Sequence, residues 1–332
     1  MRISIIGAGS FGTAMAITAA RAGNEVVLWA HDPRVAETMR TTGSNPDYLK
    51  GPALDARVHP TNDLEEAAQF SDTIFMVVPS HHYREVLTNL RPHLKDRAKV
   101  ISGTKGIENE SLDRMSEVTR DVLADQLAAF AVLSGPTFAL ETARADPTAA
   151  VIASKNSDFA QDVQRAMSCP AFRLYHSTDV AGVELAGSLK NVIAIAAGVL
   201  EGMGLGSNTT AALITRGLHE MTRLGLSLGG KLETFAGLAG MGDLVLTCTG
   251  ALSRNRTVGV LLGQGKTLDE ILSGSKFVAE GIKTSKSAKQ ISEKHGIEMP
   301  IATEMYRVLY EGESPSGGLQ RLMTRALKAE HA

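Results

Sequence analysis

Cysteine is nearly missing from this chain. Cys169 and Cys248 are the only two in 332 residues, which excludes a disulfide framework and a self-sufficient cysteine metal site, so no metal is expected. Aromatic residues are scarce at 5%, with one tryptophan, leaving few stacking platforms for bases. Excess charge of either sign is also lacking. With 34 basic against 36 acidic side chains the net charge is -2, and no lysine- or arginine-rich run makes a local patch for a polyanion, so no nucleic-acid partner is expected. The uninterrupted apolar run Val192 to Leu200 is too short to cross a bilayer, and no transmembrane segment is expected. The chain opens Met-Arg and enters an apolar strand at once, without the apolar segment and cleavage site of a secretory signal. A cytoplasmic location is the expectation.

Glycine, by contrast, is abundant at 32 residues, which favours close backbone approaches and small-residue helix packing. The length allows two domains, each with its own core. Arg2–Ile6 reads as a short buried strand running directly into Gly7-Ala8-Gly9-Ser10-Phe11-Gly12, and Thr13 to Ala22 has high helix propensity. This is GxGxxG in the context it requires, strand then turn then helix. Gly7 permits the tight turn, Gly9 admits a pyrophosphate to the backbone, and Gly12 lets helix and sheet pack closely, with Ser10 and Phe11 in the turn. A dinucleotide cofactor is therefore expected. Its ribose end should lie beyond the strand Glu25–Trp29. There His31 and Arg34 are suited to a 2′-phosphate and Asp32 to an unphosphorylated ribose, so NAD and NADP both remain open, with a lean toward NADP.

Further strand-to-loop junctions repeat along the first half. Asp72–Pro79 is a buried strand ended by proline, and the following His81-His82 pair points two ways on regular backbone, unlike a metal site. Lys99–Ile107 ends in a loop where Lys105, between Gly103 and Gly106, can reach an anion in the crevice. Phe130–Leu133 leads into Ser134-Gly135-Pro136-Thr137-Phe138-Ala139, a second glycine-containing junction suited to the nicotinamide half. Thr148–Ala153 and Arg173–Tyr175 supply late strands.

The composition then changes. Asp179 to Leu200 reads as a long helix apolar on nearly every face, interrupted by Lys190 and Asn191. An amine there either reaches the surface along its own methylenes or is held by a partner, in which case desolvation lowers its pKa toward the range useful for proton transfer. Helical stretches follow at Thr209–Leu224, Leu268–His295 and Glu304–Tyr310, with Pro300 and Pro315 marking interruptions. The expected architecture is an α/β N-terminal Rossmann-like dinucleotide-binding domain, residues 1–180, followed by a mostly α-helical C-terminal substrate domain, residues 181–332, with catalysis between them. The segment Gly237–Arg256 brings Asp243 as a potential partner of Lys190, and Arg254 and Asn255 as a fork and an amide for a phosphoryl group. Ser253, Asn255 and Thr257 could instead cap a helix with Arg254 and Arg256 in water.

Taken together, the blocks GAGSFG, VPSHHYR, TKGIE, SGPTFALE, GVELAGSLKNVIAIAAG, LITRGLHEMTRLG, GLAGMGDLVLTCTG, SRNR and EMPI resemble, across essentially the whole chain, the NAD(P)-dependent glycerol-3-phosphate dehydrogenases of the bacterial type. Met241 stands where leucine is frequent, and Phe11 where another aromatic occurs. The resemblance implies that Lys190 is the catalytic proton donor or acceptor. It implies that Lys105, Asp243, Thr247, Ser253, Arg254 and Asn255 bind substrate, and that Ser10, Phe11, His31, Arg34, Lys105, Gly135, Thr137, Ala139, Arg254, Val278 and Glu280 lie at the cofactor. The implied substrates are glycerol 3-phosphate and dihydroxyacetone phosphate, the implied role is supply for phospholipid synthesis, and a homodimer is expected. Two rivals stay open from residue chemistry alone: an oxidoreductase for a small hydroxy acid, whose carboxylate Arg254 would also bind, and a cofactor sensor without turnover.

Overall fold

In the computed structural model, which describes residues 1–273 and 279–330, the first half alternates strands and helices around one sheet. In chain order these are β1 (Arg2–Ile6), α1 (Ser10–Arg21), β2 (Glu25–Trp29), α2 (Pro33–Thr42), β3 (Ser44–Asn45), β4 (Leu49–Ala53), β5 (Val58–Thr61), α3 (Leu64–Phe70), β6 (Thr73–Met76), α4 (Ser80–Leu90), β7 (Ala98–Ser102), α5 (Met115–Leu123), β8 (Leu127–Ser134), α6 (Ala139–Ala143), β9 (Thr148–Ala153), α7 (Ser157–Met167) and β10 (Phe172–Ser177). The sheet runs β10-β9-β8-β7-β6-β1-β2-β5, and β3 pairs with β4 in a separate hairpin. All neighbours in the sheet are parallel except β8 and β9, which are antiparallel. Strands buried on both faces explain the near-continuous apolar runs of β1 and β6. The chain leaves β1 toward β2 on one side and returns to β6 on the other. That reversal opens a crevice at the carboxyl ends of β1 and β6, the place where such sheets bind ligands.

The second half is helical: α8 (Val180–Gly202), α9 (Ser207–Ser227), α10 (Leu232–Ala236), α11 (Asp243–Thr249), α12 (Arg254–Gly263), α13 (Leu268–Ser273), α14 (Glu280–His295), α15 (Pro300–Tyr310) and α16 (Pro315–Met323). No strand follows β10 among the described residues. The helical stretch expected over Leu268–His295 is two helices, α13 and α14, and the candidate Val278 lies outside the described residues. Pro300 and Pro315 begin α15 and α16 rather than interrupting them, because proline is tolerated at the first helical position, where its missing N–H is not needed. The sequence reading therefore starts α15 a turn late.

α8 organises this half. Every residue from Gly182 to Leu200 is buried, since α9, α11, α12 and α14 pack around it. The crossing with α12 depends on missing side chains: a Cβ on Gly198 would collide with the Arg256 carbonyl, and one on Gly259 with the Ile195 carbonyl. The two backbones touch there, which brings the N-terminus of α12 beside the middle of α8. By length and composition α8 is also the one described helix able to cross a membrane, yet the qualifying stretch is wholly buried inside the protein.

Candidate active site

The cleft, of about 540 Å³, opens at the carboxyl ends of β1, β6 and β7 and is roofed by the helical half. On the sheet side Gly7 takes φ +118°, closed to other residues here because a Cβ would meet the Val77 backbone. Gly12 sits against the Gly7 carbonyl, so a side chain there would part helix from turn. Gly9 differs, with no atom within 4 Å of where its Cβ would be. Gly9 also precedes α1 without a side-chain cap. Open space over a glycine and uncapped helix N–H groups fit a diphosphate, so the turn suits the nicotinamide dinucleotide anticipated from GxGxxG.

Lys190 enters from the middle of α8 and is 5% exposed. Its Nζ donates to Asp243 Oδ1 at 2.7 Å and to Thr247 Oγ1 at 2.6 Å. Thr247 in turn donates to the Asp243 carbonyl at 2.6 Å, one turn back along α11. A π-helical turn, Leu238–Gly242, feeds α11 and presents Asp243 as its first residue. The other oxygen of Asp243 accepts from Lys105 Nζ at 2.7 Å, and Lys105 also donates to the Gly135 carbonyl at 3.1 Å. One carboxylate that is 1% exposed thus bridges two ammonium groups, one from each half of the chain. Burial pulls Lys190 down from its ordinary 10.5 to about 8, opposed by the attraction of Asp243 and reinforced by Lys105. The surface-lysine reading is excluded by this burial. An amine poised near neutrality can give up or take a proton at working pH.

A chain of amides completes the inner wall. Asn191 Nδ2 donates to the Lys105 carbonyl at 3.3 Å, Asn255 Nδ2 donates to Asn191 Oδ1 at 2.9 Å, and Asn255 Oδ1 accepts the Gly281 N–H at 3.0 Å. Ser253 caps α12, its Oγ accepting the Arg256 N–H at 3.2 Å. The capping alternative therefore holds for Ser253, but Asn255 turns inward and Arg254 turns to the cofactor turn, donating to Ser10 Oγ at 2.7 Å. Glu280, at the start of α14, accepts from the Ser80 N–H at 3.0 Å and the Ser80 hydroxyl at 2.6 Å, and burial pushes its carboxyl up.

The structure thus gathers Gly9, Ser10, Phe11, Gly12, Lys105, Thr137, Ala139, Lys190, Thr247, Ser253, Arg254, Asn255 and Glu280 on one cleft. Asp243 lies just beneath it, and Gly135 contributes its carbonyl to Lys105 and to Thr137 Oγ1. His31 and Arg34 are not among the residues lining it. Arg34 is tied to Asp32, which caps α2 through the Arg34 N–H and pairs with the guanidinium at 2.7 Å. Sequence reasoning missed the hairpin residues Tyr48, Leu49 and Lys50 on the cleft wall, for they carry no motif and sit next to the site only after folding. Among the described residues no group of three or more His, Cys, Asp or Glu is placed to hold a metal ion.

A glycine-rich turn with room for a diphosphate and a buried amine at about 8 face one cleft, and the chain is a nicotinamide-dependent dehydrogenase. More narrowly, it belongs to the NAD-dependent glycerol-3-phosphate dehydrogenase family, whose N-terminal part matches residues 2–160 and whose C-terminal part matches residues 179–320. It is 51% identical over 330 residues to a glycerol-3-phosphate dehydrogenase (NAD(P)+) of Citrifermentans bemidjiense, covering 99% of this chain and 98% of that one. A Geobacter sulfurreducens protein of the same description is 52% identical with the same coverage. The crystal structure of glycerol-3-phosphate dehydrogenase from Coxiella burnetii superposes with a TM-score of 0.94 at 40% identity, covering 98% of this chain and 99% of that one.

Proposed function

We infer that the chain interconverts sn-glycerol 3-phosphate and dihydroxyacetone phosphate with NAD(P), supplying glycerol 3-phosphate for phospholipid synthesis. The observation that carries this reading is the Lys190–Asp243 pair at 2.7 Å, buried in the cleft that the glycine-rich turn opens. When bound, the nicotinamide supplies or accepts the hydride at C2. Lys190 donates a proton to the C2 oxygen as the ketone is reduced and removes it as the alcohol is oxidised. Asp243 and Thr247 aim the amine, and Lys105 adds a second positive charge beside the reacting oxygen. Asn255, with Asn191 behind it, holds the polar network, and Arg254 with Ser253 takes the phosphate.

For the cofactor, Gly7, Gly9, Ser10, Phe11 and Gly12 receive the diphosphate, while Gly135, Thr137 and Ala139 border the nicotinamide half and Glu280 lies at the cofactor. His31 and Arg34 serve the ribose end and would accept a 2′-phosphate once Arg34 swings from Asp32, so NADH and NADPH are both expected to serve. The change from strands to helices at Ser177–Val180 supports a boundary between residues 180 and 181. Exposed apolar side chains on the helical half, among them Leu226, Leu232 and Met323, support a homodimer, and a cytoplasmic location accords with the composition.

The direct test follows absorbance at 340 nm with dihydroxyacetone phosphate and either reduced cofactor. Substrate-dependent oxidation is expected, and cofactor binding without it would leave the sensor reading in its place. Arg254→Ala is expected to weaken the preference for glycerol 3-phosphate over glycerol by roughly tenfold or more, the scale of a lost charge-assisted pair. Unchanged discrimination in a kcat/KM comparison would remove Arg254 from the phosphate site.

A further inference from the structure

The β3–β4 hairpin has no motif, yet it walls the cleft beside the cofactor turn. Its loop end is bolted to that turn. Asn45 Nδ2 donates to the Ala8 carbonyl at 2.9 Å and to Thr13 Oγ1 at 2.8 Å, and the Tyr48 carbonyl accepts the Ser10 hydroxyl at 2.6 Å. Leu49 is 4% exposed and anchors the hairpin among Ala14, Ile17 and Ala143. Tyr48, Leu49 and Lys50 all line the cleft, and Lys50 is exposed to solvent.

The charges in this corner are unbalanced. Among the described residues no carboxylate lies within ion-pairing distance of Lys50, and none pairs with Arg254, which donates to the Ser10 hydroxyl. Two cations therefore line the cleft that the uncapped start of α1 faces, neither of them ion-paired to a carboxylate among the described residues. We propose that Lys50 is a further cofactor-binding residue, adding a second positive charge, beside Arg254, against the diphosphate bridge at the α1 N-terminus. The proposal rests on reading the cleft as an NAD(P) site. A diphosphate carries two charges where the nicotinamide ring and adenine offer a single charge or none. The α1 N–H groups supply fixed hydrogen bonds, and Lys50, on a flexible stem in solvent, supplies a point charge that tolerates either cofactor.

The test is a titration of the single Trp29, whose fluorescence reports binding apart from turnover, with NADH and with NADPH on the full chain, Lys50→Met and Lys50→Arg. In Lys50→Met both dissociation constants are expected to rise together by roughly fivefold, the scale of one solvent-accessible charge-assisted contact, with a shallower dependence on salt. Lys50→Arg should restore most of the affinity. Equal affinities in Lys50→Met and the unaltered chain overturn the proposal while leaving the cofactor reading intact. A loss confined to NADPH also overturns it, moving the charge to the 2′-phosphate, as does unchanged cofactor binding with a raised KM for dihydroxyacetone phosphate. Should the unaltered chain bind neither cofactor, the reading of the cleft fails and the proposal falls with it.

Discussion

Replacing Lys190 with alanine is expected to lower turnover by roughly 10²-fold or more in both directions, the usual loss when a positioned general acid–base is removed. Lys105, the other amine on Asp243, is also held by the Gly135 carbonyl and does not replace the lost proton carrier. Folding should survive. The side chain removed is one that burial penalises, and the α8 backbone makes its contacts through the glycines and alanines around it. The same burial sets a pH signature in the unaltered enzyme. With the amine at about 8, oxidation of glycerol 3-phosphate, which needs the neutral base, should rise through that pH, and ketone reduction, which needs the ammonium, should fall through it. Stability follows the same proton count. The unfolded chain holds this proton up to the ordinary 10.5 and the folded chain only to about 8, so between those values the contribution of Lys190 to stability improves as pH rises. Rate–pH profiles of the two directions, together with the turnover of a folded Lys190→Ala enzyme, check the assignment, and near-normal turnover rejects it.

The second large effect is expected at Asp243. Its carboxylate is shared by Lys190 and Lys105 at 2.7 Å each, so Asp243→Asn keeps the shape but strands two ammonium groups without a counter-charge. Breaking a buried pair by removing one partner costs about 3–5 kcal/mol when the other stays charged. Lys190 can escape part of that cost by losing its proton. A lower melting temperature is therefore expected together with a fall in the Lys190 pKa below 8, so that at neutral pH reduction suffers more than oxidation. Thermal unfolding and paired rate measurements at several pH values test this. An unchanged melting temperature with an unmoved pH profile would show that Asp243 neither neutralises nor orients the amine.

Much of this site was legible residue by residue. The glycine turn is readable because each glycine has its own local reason, a positive φ at Gly7, open space at Gly9 and helix contact at Gly12. The long helix around Lys190 is readable because an apolar residue on every face has only one stable place, the interior. The boundary that went astray did so where proline acts differently by position, as at Pro300. The hairpin stayed invisible because it owes its place to Asn45 and Tyr48 binding a turn thirty-odd positions earlier in the chain.

From the amino-acid order alone came the cofactor class, the change from alternating elements to helices, and the lysine interrupting a buried helix, since each depends on neighbours a few positions apart. Folding had to supply the rest: Asp243 between two lysines, the Asn191–Asn255 link, the Ser80–Glu280 bond and the placing of Lys50. These groups lie tens to hundreds of positions apart, and which of them meet depends on how the helical half packs over the sheet. That is a property of packed surfaces meeting across the cleft, which no local pattern of residues encodes.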